Sequence, residues 1–226
     1  MADRATTVDV TSSSTESRSR TTAVGDATRT RLMQAAERLI AERGLDGVSV
    51  RDITAAADTN SASIHYHFQS KEGLVNAIME DRADRLGRHR REHLQALSAQ
   101  RPTPRAVAEA LVNPTFEFVT DEGPEGDTAY VGFLAAVLDD PAMIPALEQH
   151  FLDQYEAYYQ ALHRARPDLA DDVVVDRVCF ALHLVLNCVS EPARGLRTWI
   201  ERRSSGAITV IRDSLIDFVA GGFEAP

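Results

Sequence analysis

The stretch VRDITAAADTNSASIHYHFQSKEGL, residues 50–74, decides how this chain is read. Val50, Ile53 and Ala56 or Ala57 recur at helical spacing, which predicts a short helix with one inward row. Ser49, just before it, and Asp52 have the reach of a capping box, although Asp is shorter than the usual Glu. Asp58-Thr59-Asn60 is turn chemistry. Ser61 to Phe68 reads as a second short helix, anchored inward by Ile64 and Phe68, four residues apart. Ser70 reads as the N-cap of a further helix that opens at Lys71. Two short helices across a three-residue turn make a helix-turn-helix, whose second helix enters the DNA major groove, or part of an ordinary three-helix bundle. Spacing alone leaves both open.

The inward anchors leave Ser61, Ser63, His65, Tyr66 and His67 on other faces of the second helix. Hydroxyls and imidazoles without a neighbouring acid suit phosphate oxygens and base edges. Lys71 is the only lysine in the chain; the other 23 of its 24 basic residues are arginine. At the first position of a helix a cation opposes the helix dipole by roughly 0.3–1 kcal/mol. The same helix end presents N–H groups that bind phosphate. Lys71 is therefore unfavourable alone and favourable with a phosphate before it. The plainer reading is a surface lysine without a role.

Upstream, TRTRLMQAAERLIAERG (28–44) places Leu32, Ala35, Ala36, Leu39 and Ile40 on one stripe. This predicts a helix starting near Asp26 or Thr28, with Thr28 as N-cap and Gly44 as its stop. Residues 1–24 are Ser/Thr-rich and read as a flexible tail without the apolar region of a secretory signal. Arg18 and Arg20 in that tail are expected to be solvated. Downstream, a long helix from Lys71 to about Ser98 turns Leu74, Ile78, Leu86, His89, His93 and Leu97 inward until RPTP (101–104) breaks it. Helical patterns follow over 105–120, 127–139, 142–165, 169–190 and 205–220. No alternating strand pattern occurs, so the fold class is all-α.

The chain has 226 residues, 44% of them hydrophobic, enough for a sizeable core. Its formal net charge of −10 argues against nucleic-acid binding by the whole surface. The distribution changes this: residues 18–93 hold 13 basic and 11 acidic residues, whereas residues 94–226 hold 10 and 20. A neutral-to-basic front on an acidic body suits a small anion-binding module. No apolar run reaches the roughly 18 residues of a membrane span. Cys179 and Cys188, nine apart on one helix, are separated by about 13 Å along its axis. They read as unpaired, buried thiols in a reducing, cytoplasmic setting. No phosphate loop, G-x-S-x-G or H-E-x-x-H motif is present, so an enzyme is not expected. His89 and His93 lack a third ligand at metal spacing and read as a solvated helix face. Neither a metal nor a cofactor is expected. An all-α adaptor without DNA contact would call for an acidic or apolar helix at 61–68.

Residues 28–74 resemble the DNA-binding region of TetR-family transcriptional regulators. The resemblance rests on Ala35-Ala36, Gly44, Ser-Val-Arg-Asp-Ile at 49–53, Tyr-His-Phe at 66–68 and Ser-Lys-Glu-Gly-Leu at 70–74. It implies a tail (1–24), an N-terminal three-helix helix-turn-helix domain (25–74), and a larger helical effector-binding and dimerisation domain (75–226). It also implies that Asn60, Ser61, Ser63, His65, Tyr66 and His67 face the groove, while Lys71 and Ser49 meet phosphates. Two sites depart from the family pattern. Asp58-Thr59 replaces Gly-Val in the turn, which Asp tolerates through the left-handed region, and His65 replaces Tyr.

With that resemblance, the rear half gains specific expectations. The stripes Val174/Val178/Ala181/Val185 and Ile208/Ile211/Leu215/Phe218, paired with their symmetry mates, form a four-helix dimer interface. The plainer reading is burial within one subunit. Tyr130, Phe133, Met143, Phe151 and Tyr155 line an apolar pocket, with His183 and Asn187 as its polar groups. The whole reads as a homodimeric repressor on a palindromic double-stranded DNA operator, released by a small, largely apolar effector.

Overall fold

A computed structural model describes residues 11–97, 101–120, 128–138, 140–190 and 208–226, and among them there is no strand. The helices are α1 (Thr11–Arg43), α2 (Val50–Ala56), α3 (Ser61–Phe68), α4 (Lys71–Ala96), α5 (Pro104–Thr120), α6 (Thr128–Leu138), α7 (Ile144–Ala165), α8 (Asp171–Val189) and α9 (Ile208–Glu224). Among the described residues no single helix is long and apolar enough to cross a membrane.

The front of the chain follows its local signals closely. α1 stops at Gly44, whose φ of 74° suits a residue without Cβ, and its N–H donates to Ile40 O. The Ser49–Asp52 capping box is formed in both directions. Asn60 caps α3 and Ser70 caps α4 through their side chains. Leu32, Ile40, Ile53, Ile64, Phe68, Leu74 and Ile78 form the core that holds α1–α4 together.

The start of α1 differs from expectation. The helix runs from Thr11, so Thr28 is interior to it and is not its N-cap. Residues 12–27 contain no proline, Ser and Thr each cost only a fraction of a kcal/mol in a helix, and the single Gly25 costs about 1 kcal/mol, so no local residue forces an end there. The tail's residues 1–10 and the side chains of Arg18 and Arg20 lie outside the described residues.

The C-terminal half of α1 packs on α6, where a Cβ added at Gly132 would stand 3.1 Å from the Ala41 Cβ. α5 lies at the centre of the rear body, against α4, α7, α8 and α9. Two arginines hold the end of α9. Arg166 and Arg177 both donate to the carbonyls of Phe223 and Ala225, at 2.8–3.3 Å. Cations at a helix C-terminus satisfy orphan carbonyls and complement the dipole.

Candidate nucleic-acid interface and effector core

The helix α3 stands on two anchors. Ile64 and Phe68 are 1% and 6% exposed, whereas Tyr66 is 83% exposed. Asn60, Ser61, His65 and Tyr66 are all exposed, with no acid among them. This outer row can donate to and accept from a nucleic-acid surface. Two expected contacts are turned elsewhere. Ser63 is half-buried, and its hydroxyl bonds Thr59 Oγ1 at 2.8 Å, which stiffens the turn. His67 is half-buried, edge-on to Tyr66, and near Gly25 of α1. Its position follows from the helix: three residues from Ile64 and next to Phe68, it borders the inward face. Ser49 is exposed, but its hydroxyl is shared with the Asp52 carboxylate and N–H. That bond, with the backbone N–H of Ser49, holds the Asp52 carboxyl below the usual carboxylate range.

The α3–α4 junction is tightly built. Gln69 has φ 68° and ψ −41°, and Ser70 N–H donates to Phe68 O at 2.8 Å. This is a γ-turn, a sparsely populated conformation for a residue with a side chain. His65 Nδ1 donates to Gln69 O at 2.9 Å and steadies it. A Cβ at Gly73 would lie 2.0 Å from Phe68 O, so only glycine fits there. Lys71 has a role the sequence did not reveal. Its Nζ donates to the carbonyl of Leu45 and ties the start of α4 to the α1–α2 loop. An ammonium has three donors, so two remain for a phosphate.

In the rear body, Tyr130, Phe133, Met143 and Phe151 are buried and Tyr155 is half-buried, all belonging to the continuous hydrophobic core. Tyr130 stacks on Phe133 with centroids 5.9 Å apart, and Phe151 lies 6.2 Å from Tyr155. His183 and Asn187 do not join them. Both are exposed on α8 and bonded to their own helix, His183 Nδ1 to Cys179 O and Asn187 Nδ2 to His183 O. Asn187 instead borders a cavity of about 420 Å³ between the α1–α2 loop, α6 and α8. The polar groups that do enter the core are Arg90, 2% exposed, and Gln154, 8% exposed, neither of which sequence reasoning selected.

The expected dimer stripe is mostly interior. Val174, Val178, Ala181, Val185 and Leu215 are buried within the single chain, and Ile211 is half-buried. The side chain of Ile208 lies outside the described residues. Phe218 is 71% exposed. The outward side of α8 is a different one, with Val175 47% exposed on one flank and Phe180 69% exposed on the other. Phe180, Leu184 and Phe218 border an apolar groove of about 310 Å³ between α8 and α9. Cys179 is exposed on this side, contrary to expectation, and Cys188 is half-buried; both are free thiols. Partial burial and the Asp176 charge push the Cys179 thiol up, away from reactivity.

His89 and His93 are half-buried rather than solvated. His93 Nε2 lies 2.9 Å from Glu117 of α5, and His89 Nδ1 3.7 Å from the same carboxylate. Among the described residues no group of side chains could hold a metal ion.

Comparison with known proteins agrees with this architecture. Residues 32–78 match the model for bacterial regulatory proteins of the tetR family. Residues 109–222, just over half of the chain, match that for the tetracyclin repressor-like C-terminal domain. The chain belongs to the TetR family of transcriptional regulators. The HTH-type transcriptional repressor KstR2 of Rhodococcus jostii (strain RHA1) is 40% identical over 92 residues, 40% of this chain and 43% of that protein. The match thus spans less than half the length of this curated relative. A solved TetR-family regulator from Rhodococcus sp. superposes with a TM-score of 0.55 at 16% identity, covering 87% of this chain and 97% of that one. FadR from Bacillus subtilis, solved in complex with stearoyl-CoA, gives 0.53 at 11% identity, over 85% and 98%. At such identities the likeness concerns the fold.

Within this TetR-family chain the two departures have physical consequences. Asp58 adopts φ 49°, the left-handed conformation the turn needs, and keeps the helix-turn-helix intact. His65, in its neutral form, spends its Nδ1 proton on Gln69 O, so its outward Nε2 is an acceptor. It therefore matches a base amine in the major groove better than a phosphate.

Proposed function

We propose that this chain acts in the cytoplasm as a homodimeric repressor that binds a palindromic double-stranded operator and leaves it when a small effector enters the aromatic core. The observation that carries this reading is the division of α3. Ile64 and Phe68 fix the helix to the core, while Ser61, His65 and Tyr66 stand exposed with no structural use for their outer atoms. Asn60 sits beside them as the cap. Ser63, His67 and Ser49 serve mainly to shape this surface. Lys71 combines its clamp on Leu45 with a phosphate contact.

Dimerisation is assigned to the outer Phe180/Leu184 row of α8 together with Phe218 of α9. Two copies would then present α3 helices about 34–36 Å apart, or a multiple, along the duplex. Regulation follows from α6. Tyr130 belongs to the aromatic core, and Gly132, two residues on, abuts Ala41 of α1. A ligand that shifts α6 moves α1 and with it the spacing of the two α3 helices, favouring a state that no longer fits both half-sites. FadR, which shares the fold, holds an acyl-CoA, and this supports a ligand-taking core.

The test is selection of genomic fragments by the purified full chain, repeated with apolar compounds. Enrichment of a palindromic fragment is expected. Lys71→Ala should weaken binding to all sequences alike and reduce the salt slope by about one. Enrichment of nothing above a random fragment pool would refute the DNA-binding reading and favour an adaptor.

A further inference from the structure

The core of the rear body contains a cation with no counter-charge among the described residues. Arg90 of α4 donates through Nη1 to Gln154 Oε1 of α7 at 3.2 Å, and its guanidinium lies 5.9 Å from the Phe151 ring centroid. Its Nε–H, fully buried, has no hydrogen-bond partner. The hydroxyl of Tyr130, on α6, is likewise buried and unpartnered. Among the described residues no carboxylate pairs with Arg90. Glu37, whose charge reaches Tyr130, is engaged by Arg82 at 3.2 Å. An arginine cannot relieve the cost of burial by losing its proton. A buried charge left unpaired is destabilising, and natural cores rarely retain one without a partner.

The surroundings say what the partner is. Burial pushes the hydroxyls of Tyr130, Tyr155 and Tyr158 above the ordinary phenol range, while the Arg90 charge opposes this at all three. They are neutral donors grouped around one cation. The Tyr158 hydroxyl is already given to Ala110 O at 3.1 Å, and of the other two it is the Tyr130 hydroxyl that is fully buried without a partner. The guanidinium plane is fixed by Gln154, whose amide comes close because α4 has Gly87 there; a Cβ would stand 3.1 Å from Gln154 Nε2. Phe118, Phe133 and Phe151 supply aromatic walls. A guanidinium edge with a free N–H matches a carboxylate in shape and charge. We infer that the effector is an organic carboxylate with an apolar body, its head taken by the Arg90 Nε edge and the Tyr130 hydroxyl. This rests on the effector-controlled reading above and narrows its ligand to an anion.

The experiment uses the full chain, as wild type, R90M and Y130F. Each is titrated calorimetrically with octanoate and 3-phenylpropanoate and with the matched neutral alcohols, 1-octanol and 3-phenyl-1-propanol. Thermal melting follows each variant with and without ligand. Wild type should bind the acids at least about tenfold more tightly than the alcohols, and its melting temperature should rise with acid. R90M should lose roughly a hundredfold in acid affinity and keep its alcohol affinity. Without ligand it should melt at or above the wild-type temperature, because an unpaired buried charge is gone. Y130F, which removes only a hydroxyl, should lose several-fold for the acids alone, and it carries the test if R90M does not fold. Absence of acid binding to wild type, equal affinity for acid and alcohol, or unchanged acid affinity in the variants would overturn the inference. Acid binding that leaves a selected DNA fragment bound would count against effector-controlled release and leave the carboxylate site standing.

Discussion

Helices α3 and α8 each push an aromatic ring into solvent, Tyr66 at 83% and Phe180 at 69% exposure, yet they differ in how plainly the sequence announces it. α3 has a single apolar row, Ile64 and Phe68, so most of the rest must face outward, with Ser63 and His67 half-buried at its margins. α8 is apolar on two faces. Val174, Val178, Ala181 and Val185 are one row, and Phe180 and Leu184, four apart, are another, with Val175 alone on the opposite flank. A helix hydrophobic all round is covered on both sides, but periodicity cannot say which row meets its own core and which awaits a second surface. In the structure the more regular row is inward.

That contrast is easiest to break with paired substitutions. Phe68→Ala removes a buried anchor and should cost about 3–5 kcal/mol, collapsing the front domain. Tyr66→Ala should stay within about 0.5 kcal/mol of wild type and fail only in DNA binding. Chemical denaturation separates the two; equal stability losses would mean that α3 is not divided as described. On α8, Val178→Ala should destabilise the subunit by roughly 2 kcal/mol. Phe180→Asp should leave the subunit folded and shift the molecule to monomer in sedimentation or light scattering. A Phe180→Asp dimer would remove α8 from the interface.

Smaller effects sharpen the picture of the α3–α4 junction. Gln69→Gly relieves a positive φ and should raise stability by about 1 kcal/mol. A loss would show that the side chain of Gln69 supports the turn. The smallest effect is at the rear. The hydrogen bonds from Arg166 hold the Asp168 carboxyl down at about 2. A depressed carboxylate stabilises the folded state above its unfolded pKa, near 3.9. That contribution is lost as pH falls through about 2. Asp168→Asn should therefore melt slightly below wild type at pH 7, flatten part of the melting-temperature decline between about pH 4 and pH 2, and converge with wild type near pH 2.

What the sequence made legible was local. The Ser49–Asp52 box, the Gly44 stop, the Asn60 and Ser70 caps and the left-handed Asp58 each depend on residues within four positions. Features set by distant partners stayed hidden. Lys71 finds its carbonyl at Leu45, 26 residues back. Arg90 lies in the charged run DRADRLGRHRREH and looks solvated until α7 covers it with Gln154. His89 and His93 fall on the inner row by spacing yet within the same charged run, and only α5 shows what meets them there, Glu117. His183 and Asn187 seemed inward because their helix is apolar, and they proved to sit on its outer row. The start of α1 was missed for a different reason: capping residues permit a helix to begin but do not oblige it to.

The central claim is that the outer row of α3 reads duplex sequence, and the ratio of affinities for a selected palindromic fragment and for random DNA measures it directly. Compared at one salt concentration, a His65→Ala/Tyr66→Ala double variant with a wild-type melting temperature should lose most of that ratio, roughly tenfold or more, while its affinity for random DNA stays nearly constant. An unchanged ratio in a folded double variant would contradict the account.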